Sequence, residues 1–137
     1  MTDVREYTKQ EIGRRGERVA ARYLRRAGYR LVARNTHFGK NELDLVVKDK
    51  QYIVFVEVKA RSFAGESVSV TRPADAVDRD KRLRTVTAAK AFLKENKLTL
   101  IPRFDVVEVY LDRARHLKPI KVNHIPDAFG ASGDIRR

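Results

Sequence analysis

The sequence contains no cysteine, which excludes thiol chemistry, cysteine-based zinc sites and disulfides. No apolar run approaches a membrane-spanning length, and no basic amphipathic helix with a broad aromatic face points to a lipid surface, so no membrane partner is expected. Gly-rich phosphate loops and a nucleophilic serine constellation are also missing. The three histidines, His37, His116 and His124, share no ligand spacing and read as ordinary polar residues. Internal repeats and low-complexity linkers are absent. The first residues, Met1 to Glu6, lack the apolar stretch of a secretory signal, which makes a cytoplasmic location the expectation. Acidic residues are in the minority: 18 Asp and Glu stand against 30 Lys and Arg, a formal charge of +12. A surplus this large on a small chain points to a polyanion partner, most simply nucleic acid.

What is present suits a folded globule. With 137 residues and 42% hydrophobic content, one core over residues 1–126 is expected, followed by a flexible tail over 127–137 that carries Gly130 and Gly133. Thr8 and Glu11 have capping-box spacing, which predicts a helix from Lys9 to Ala27 closed by Gly28. Its apolar residues Ile12, Val19, Ala20, Tyr23 and Leu24 recur at helical intervals, with Glu17 at the edge of that face. Gly13 and Gly16 weaken the helix, so close packing is the expected reason for them. A strand follows over Tyr29–Arg34, then a loop over Asn35–Asn41. After a central hairpin, a polar stretch from Ser62 to Ala74 reads as a long loop, of the kind that covers a site. A second helix is expected over Ala74–Asn96, with Val86, Ala89 and Leu93 inward. Arg103–Leu111 reads as a strand and Pro119–Ile125 as an edge strand. The order predicts an α/β (α+β) domain with a mixed sheet flanked by helices.

The chemistry concentrates in the hairpin. Leu43–Val47 and Tyr52–Val58 are rich in branched and aromatic residues and are joined by Lys48-Asp49-Lys50-Gln51, a connection short enough for antiparallel pairing. If Lys48 lies opposite Ile53, Asp44 lies opposite Glu57. Period-two alternation then puts Glu42, Asp44, Glu57 and Lys59 on one face. Val54, Val56 and Val58 fill the other face, while Ile53 and Phe55 share the acidic one. Both faces read as buried, which marks a central strand whose carboxylates would repel without a purpose. A solvated sheet face is the bland alternative. The chemical reading is that Asp44 and Glu57 hold Mg²⁺ (or Mn²⁺) with the Val58 carbonyl, and Glu42 or Glu17 completes the shell. Lys59 would orient or help deprotonate the attacking water and stabilise the charge developing on the phosphate.

These residues also carry a family likeness. Gly13-Arg14-Arg15-Gly16-Glu17, Gly28-Tyr29, Asn35, Glu42-Leu43-Asp44-Leu45, Phe55-Val56-Glu57-Val58-Lys59-Ala60-Arg61, Lys81 and Arg103-Phe104-Asp105 resemble the YraN-like family of uncharacterised bacterial proteins. Its fold is similar to restriction endonucleases and archaeal Holliday-junction resolvases. The resemblance implies a PD-(D/E)xK site at Asp44, Glu57 and Lys59, with Glu17 as the resolvase-like helix glutamate. Two departures stand out: Asn41 replaces a glycine of the family run, and no proline precedes Asp44.

The leading expectation is a Mg²⁺-dependent endonuclease acting on DNA rather than RNA, at branched or structured sites. Lys81, Arg82 and Arg84 on the second helix, with Arg61, Arg14 and Arg15, are the expected nucleic-acid contacts. A homodimer is expected by analogy with resolvases, since it suits a two-fold junction. The alternatives are a non-catalytic nucleic-acid-binding module on the same scaffold and a basic assembly factor docking on an acidic protein or ribosomal RNA.

Overall fold

Thr8 starts the chain's first helix as its spacing predicts. Its Oγ1 accepts from the Glu11 amide at 3.1 Å, and Glu11 Oε1 accepts from the Thr8 amide at 3.1 Å, so two orphan donors are satisfied together. The computed structural model describes residues 6–64 and 78–136. Helix α1 spans Lys9–Arg26, and Gly28 leaves it with a φ of +102°, a conformation that a side chain disfavours. Val19, Ala20, Ala21 and Leu24 form its buried stripe.

Five strands follow: β1 Arg30–Phe38, β2 Asn41–Lys48, β3 Tyr52–Phe63, β4 Ile101–Asp112 and β5 Lys118–Phe129, with helix α2 (Arg79–Asn96) between β3 and β4. They form one mixed sheet in the order β1-β2-β3-β4-β5. Strands β1, β2 and β3 run antiparallel, β3 and β4 parallel, β4 and β5 antiparallel. Helix α1 covers one face, against Leu45, Val47, Val54, Val56, Val107 and Val109. Helix α2 covers the other, where Val86, Ala89 and Phe92 meet Val46, Ile53, Phe55 and Phe104. Burial on both faces makes β3 the central strand, as its composition predicts. Among the described residues no helix is long and apolar enough to cross a membrane.

Several boundaries differ from expectation. The loop foreseen over Asn35–Asn41 is mostly strand: β1 continues to Phe38 and pairs with Asn41, leaving only Gly39-Lys40 as the turn. Gly39 has a φ of +62°, so one glycine closes a hairpin where polar composition suggested a longer excursion. Helix α2 begins at Arg79, not Ala74, because Asp78 caps it by accepting from the Lys81 amide at 2.8 Å. Within the expected Ser62–Ala74 loop, Ser62 and Phe63 belong to β3; residues 65–77, with Pro73, lie outside the described residues. Strand β5 runs to Phe129, and Ala128 and Phe129 are buried, so the strand passes the boundary expected for the tail.

Strands β4 and β5 are locked by one buried carboxylate. Asp105 accepts from Arg103 Nε and Nη2 at 2.9 and 2.8 Å and from the Asp127 amide at 2.9 Å, and lies 2.7 Å from His124 Nε2. Burial pushes its pKa up, but the His124, Arg103 and Asp127 hydrogen bonds outweigh that and hold it below its ordinary value. Arg103 also donates to the Tyr29 hydroxyl at 2.7 Å and lies over the Tyr52 ring, which ties β4 to the start of β1 and to β3.

The two helix glycines have different reasons. A Cβ on Gly16 would sit 2.5 Å from Ala60 Cβ on β3, whereas one on Gly13 would meet nothing within 4 Å. Close packing therefore explains Gly16 and not Gly13, which lines an open cleft. Gly16→Ala is expected to destabilise the protein by roughly 1–3 kcal/mol, since overpacking outweighs the gain in helix propensity. Gly13→Ala is expected to stabilise it by up to about 1 kcal/mol. Urea unfolding of both variants checks the contrast; equal shifts would show that α1 is not pressed onto β3 at Gly16.

Candidate active site

The β2–β3 ladder pairs Lys48 with Ile53, Val47 with Val54, Val46 with Phe55 and Leu45 with Val56, the register read from the sequence. The next rung would join Asp44 to Glu57, and there the ladder stops. Asp44 Oδ2 instead accepts from the Val58 amide at 3.0 Å. Side-chain alternation also breaks at this point: Leu45 and Val47 face α1, yet Leu43 packs with Val46 in the α2 core. Across on β1, pairing passes from Arg34–Leu45 to Thr36–Leu43 and skips Asn35, whose φ is +48°. Asparagine tolerates that conformation better than most residues. The kink turns Asp44 toward Glu57 and leaves Asn35 hydrogen-bonded to Glu17.

Asp44 is 9% exposed and Glu57 only 2%, and the two side chains hydrogen-bond to each other. Two carboxylates in such contact hold a proton between them more readily than two charges. Thr85 Oγ1 lies 2.6 Å from Glu57 Oε1, and Lys81 Nζ lies 3.7 Å from Oε2. Burial, and then the Asp44 charge, pushes Glu57 up to about 8, against the opposing pull of Lys81 and Thr85. Burial likewise raises Asp44, although the Val58 amide and Lys81 hold it back. Glu17 is raised by burial first and by Asp44 second. Three carboxyl groups from α1, β2 and β3 thus feel one another.

They open on a cleft of about 340 Å³ lined by Gly13, Glu17, Asp44, Glu57, Val58, Lys59, Asp78, Lys81 and Arg84. Of the residues singled out in the sequence, Glu17, Asp44, Glu57, Lys59, Lys81 and Arg84 are brought together here. Lys59 is exposed, on the Glu57 side of β3, and forms no ion pair among the described residues. Arg14 and Arg15 line a neighbouring cleft that shares Glu17, and Arg15 donates to the Leu117 carbonyl at 3.3 Å.

Others stand elsewhere. Glu42 turns to His37 at 3.7 Å, so it acts on Asp44 and Glu17 through its charge. Arg61 lies 3.8 Å from buried Glu108. Arg82 does not join an exposed phosphate-contacting patch: it is 8% exposed and donates to the Gly133 carbonyl at 2.6 Å. It falls on the inward side of α2, where the C-terminal segment covers it. Two participants were missed in the sequence. Thr85 precedes Ala89 by one turn, so its inward position was legible from helical spacing. Asn35 stands among the residues of the family resemblance, but its contact with Glu17 was not foreseen, because that contact depends on a strand kink.

Asp44 and Glu57 offer only hard oxygen donors. Mg²⁺ keeps several waters and is held by one or two carboxylates, which suits this pair. Among the described residues no group of three or more His, Asp or Glu is placed to hold a metal ion, so the shell expected from Glu42 or Glu17 beside Asp44 and Glu57 is not assembled, and the pair alone offers the donors.

Comparison with known proteins adds one finding. The model of a family described as "Uncharacterised protein family UPF0102" matches residues 16–109, a span that includes Glu17, Asp44, Glu57, Lys59, Lys81 and Thr85. A UPF0102 protein of Caldanaerobacter subterraneus is 38% identical over 127 residues, covering 92% of this chain and 100% of the relative. Another, from Syntrophotalea carbinolica, is 38% identical over 128 residues, covering 93% and 98%. A third, from Rhodopirellula baltica, is 42% identical over 129 residues, covering 90% of this chain and 72% of its own length.

The carboxyl pair makes stability depend on pH. Glu57 titrates near 4.5 when unfolded and at about 8 when folded. Its stabilising contribution is therefore complete below pH 4.5, falls as pH rises toward 8, and levels off above that. In EDTA, the wild type is expected to lose on the order of a few kcal/mol relative to Glu57→Gln across that window. Urea unfolding of both proteins in steps from pH 5 to pH 9 measures the difference; parallel curves would show that the pair carries no strain.

Proposed function

The chain belongs to the uncharacterised protein family UPF0102, and from that premise we propose that it is a metal-dependent nuclease on a restriction-endonuclease-like scaffold. It hydrolyses phosphodiester bonds in DNA, with branched or structured DNA as the substrate. The observation that carries this reading is the pair of touching carboxyl groups, Asp44 and Glu57, at the base of an open cleft rimmed by Lys59, Lys81 and Arg84. A buried acidic pair is unfavourable unless something positive meets it, and the surrounding charge favours a phosphate beside it.

Asp44 and Glu57 would hold the Mg²⁺ or Mn²⁺, which supplies a Lewis acid for the scissile phosphate and a more acidic bound water. Lys59, exposed on the Glu57 side, places its ammonium where charge builds on the phosphate oxygens. Lys81 and Arg84 hold the flanking phosphate from α2. Glu17, whose pKa is raised by burial, takes the proton that the attacking water loses as its oxygen bonds to phosphorus; the bond to the leaving sugar oxygen breaks, and that oxygen takes a proton from solvent water.

One observation favours the alternative of a non-catalytic nucleic-acid-binding module. Lys81 and Thr85 already neutralise and hydrogen-bond Glu57, much as a metal shell would. Incubation with branched, single-stranded and duplex DNA in Mg²⁺ or Mn²⁺ separates the two readings. The nuclease reading expects cleavage, reduced at least about 100-fold in Asp44→Asn and Lys59→Ala. No cleavage by the wild type, or cleavage by the variants at the wild-type rate, would leave the binding module. Asp44→Asn should then bind DNA as tightly as the wild type or more tightly, since it removes negative charge.

A further inference from the structure

The acidic cleft does not end at Glu17. That residue also lines the adjoining cleft of about 640 Å³, whose walls carry Arg14, Arg18 and Arg34. Arg18 and Arg34 in turn line a third hollow of about 440 Å³, completed by Arg22, Arg25, Arg26 and Ala21. The three hollows share residues end to end and run the length of α1. The last is walled by five arginines and one alanine. All five are exposed, and none has a carboxylate within ion-pair distance among the described residues. Five like charges in one hollow repel one another unless a polyanion lies among them.

We propose that this trough is the track of a single nucleic-acid strand leaving the cleft, so that the substrate carries a single-stranded tail beside the bond that reacts. The proposal rests on the nucleic-acid part of the function proposed above and deepens it. Three features select one strand. Arginines approach from both sides, Arg18 and Arg22 from the helix and Arg34 from β1, which suits one backbone lying between them. The wall carries the half-buried ring of Tyr7, an aromatic surface of the kind that unstacked bases use and a closed duplex does not. From Glu17 to Arg26 the helix rises about 14 Å, room for roughly four phosphates at the spacing of a stacked strand and fewer for a stretched one.

The test is fluorescence anisotropy in EDTA, so that binding is read without cleavage. Labelled single strands, blunt duplexes and duplexes with a single-stranded tail are titrated with the wild type, Arg22→Glu/Arg25→Glu, and a control, Lys90→Glu/Lys94→Glu, on exposed positions of α2. The expected result is a loss of about tenfold or more for tailed and single-stranded DNA in the first variant only, with a salt slope shallower by about 1.4 for two phosphates. Binding to the blunt duplex should change less than twofold. Equal losses on blunt and tailed duplexes, an unchanged variant, or polyglutamate competing as well as the oligonucleotide would each overturn the strand track. Because no metal is present, a chain that cleaves nothing can still pass this test, and a chain that cleaves can still fail it.

Discussion

Asp44 and Glu57 bring two carboxyl groups into contact where the sheet admits almost no water, and much of the surrounding architecture answers to that contact. The pair lies where β2 stops pairing with the central strand, so the Val58 amide is left without a ladder partner and takes Asp44 instead. Helix α2 sets its first two turns over the pair, which brings Lys81 and Thr85 to Glu57. Helix α1 comes close enough to β3 to bring Glu17 near Asp44, and that approach leaves no room for a Cβ at Gly16.

A second buried acid shows what a structural carboxylate looks like in the same sheet. Asp105 has an arginine, a histidine and a backbone amide as partners, and its pKa is held down. Glu57 has one hydroxyl, one ammonium at longer range and another carboxyl group, and its pKa is driven up. The groups have the same chemistry and comparable burial; the partners differ. A satisfied carboxylate serves packing, whereas a strained one marks a place where a cation or a proton is expected. Glu108 stands between the two. It accepts from the Tyr110 hydroxyl and lies near Arg61, while its Oε2 has no hydrogen-bond partner among the described residues.

Positive charge is distributed unevenly around this centre. On α2, Lys81 and Arg84 stand at the cleft rim, and Arg82 is withdrawn into a contact with the C-terminal segment. On α1, Arg18, Arg22, Arg25 and Arg26 share one side of the helix with Arg34 of β1. The acidic centre therefore sits between a short cationic rim and a long cationic trough. Under the proposed function, that asymmetry would give a polyanion a direction as well as a place.

The sequence determined what depends on near neighbours. The Thr8–Glu11 cap, the helical stripe of α1, the register of Lys48 with Ile53 and the burial of both faces of β3 are local, set by period and by short connections. From them followed the mixed sheet with flanking helices and the meeting of Asp44 with Glu57. Tertiary contact decided the rest. Asn35 leaves the ladder because Asp44 turns across it, β1 extends because β2 offers it partners, and Arg82 is buried because a segment fifty residues away covers it. Thr85 reaches Glu57 only because α2 crosses the sheet there, and the α1 arginines form a trough only with Arg34 beside them. Spacing along one element shows which residues share a face; what that face meets is set by chain far away in sequence.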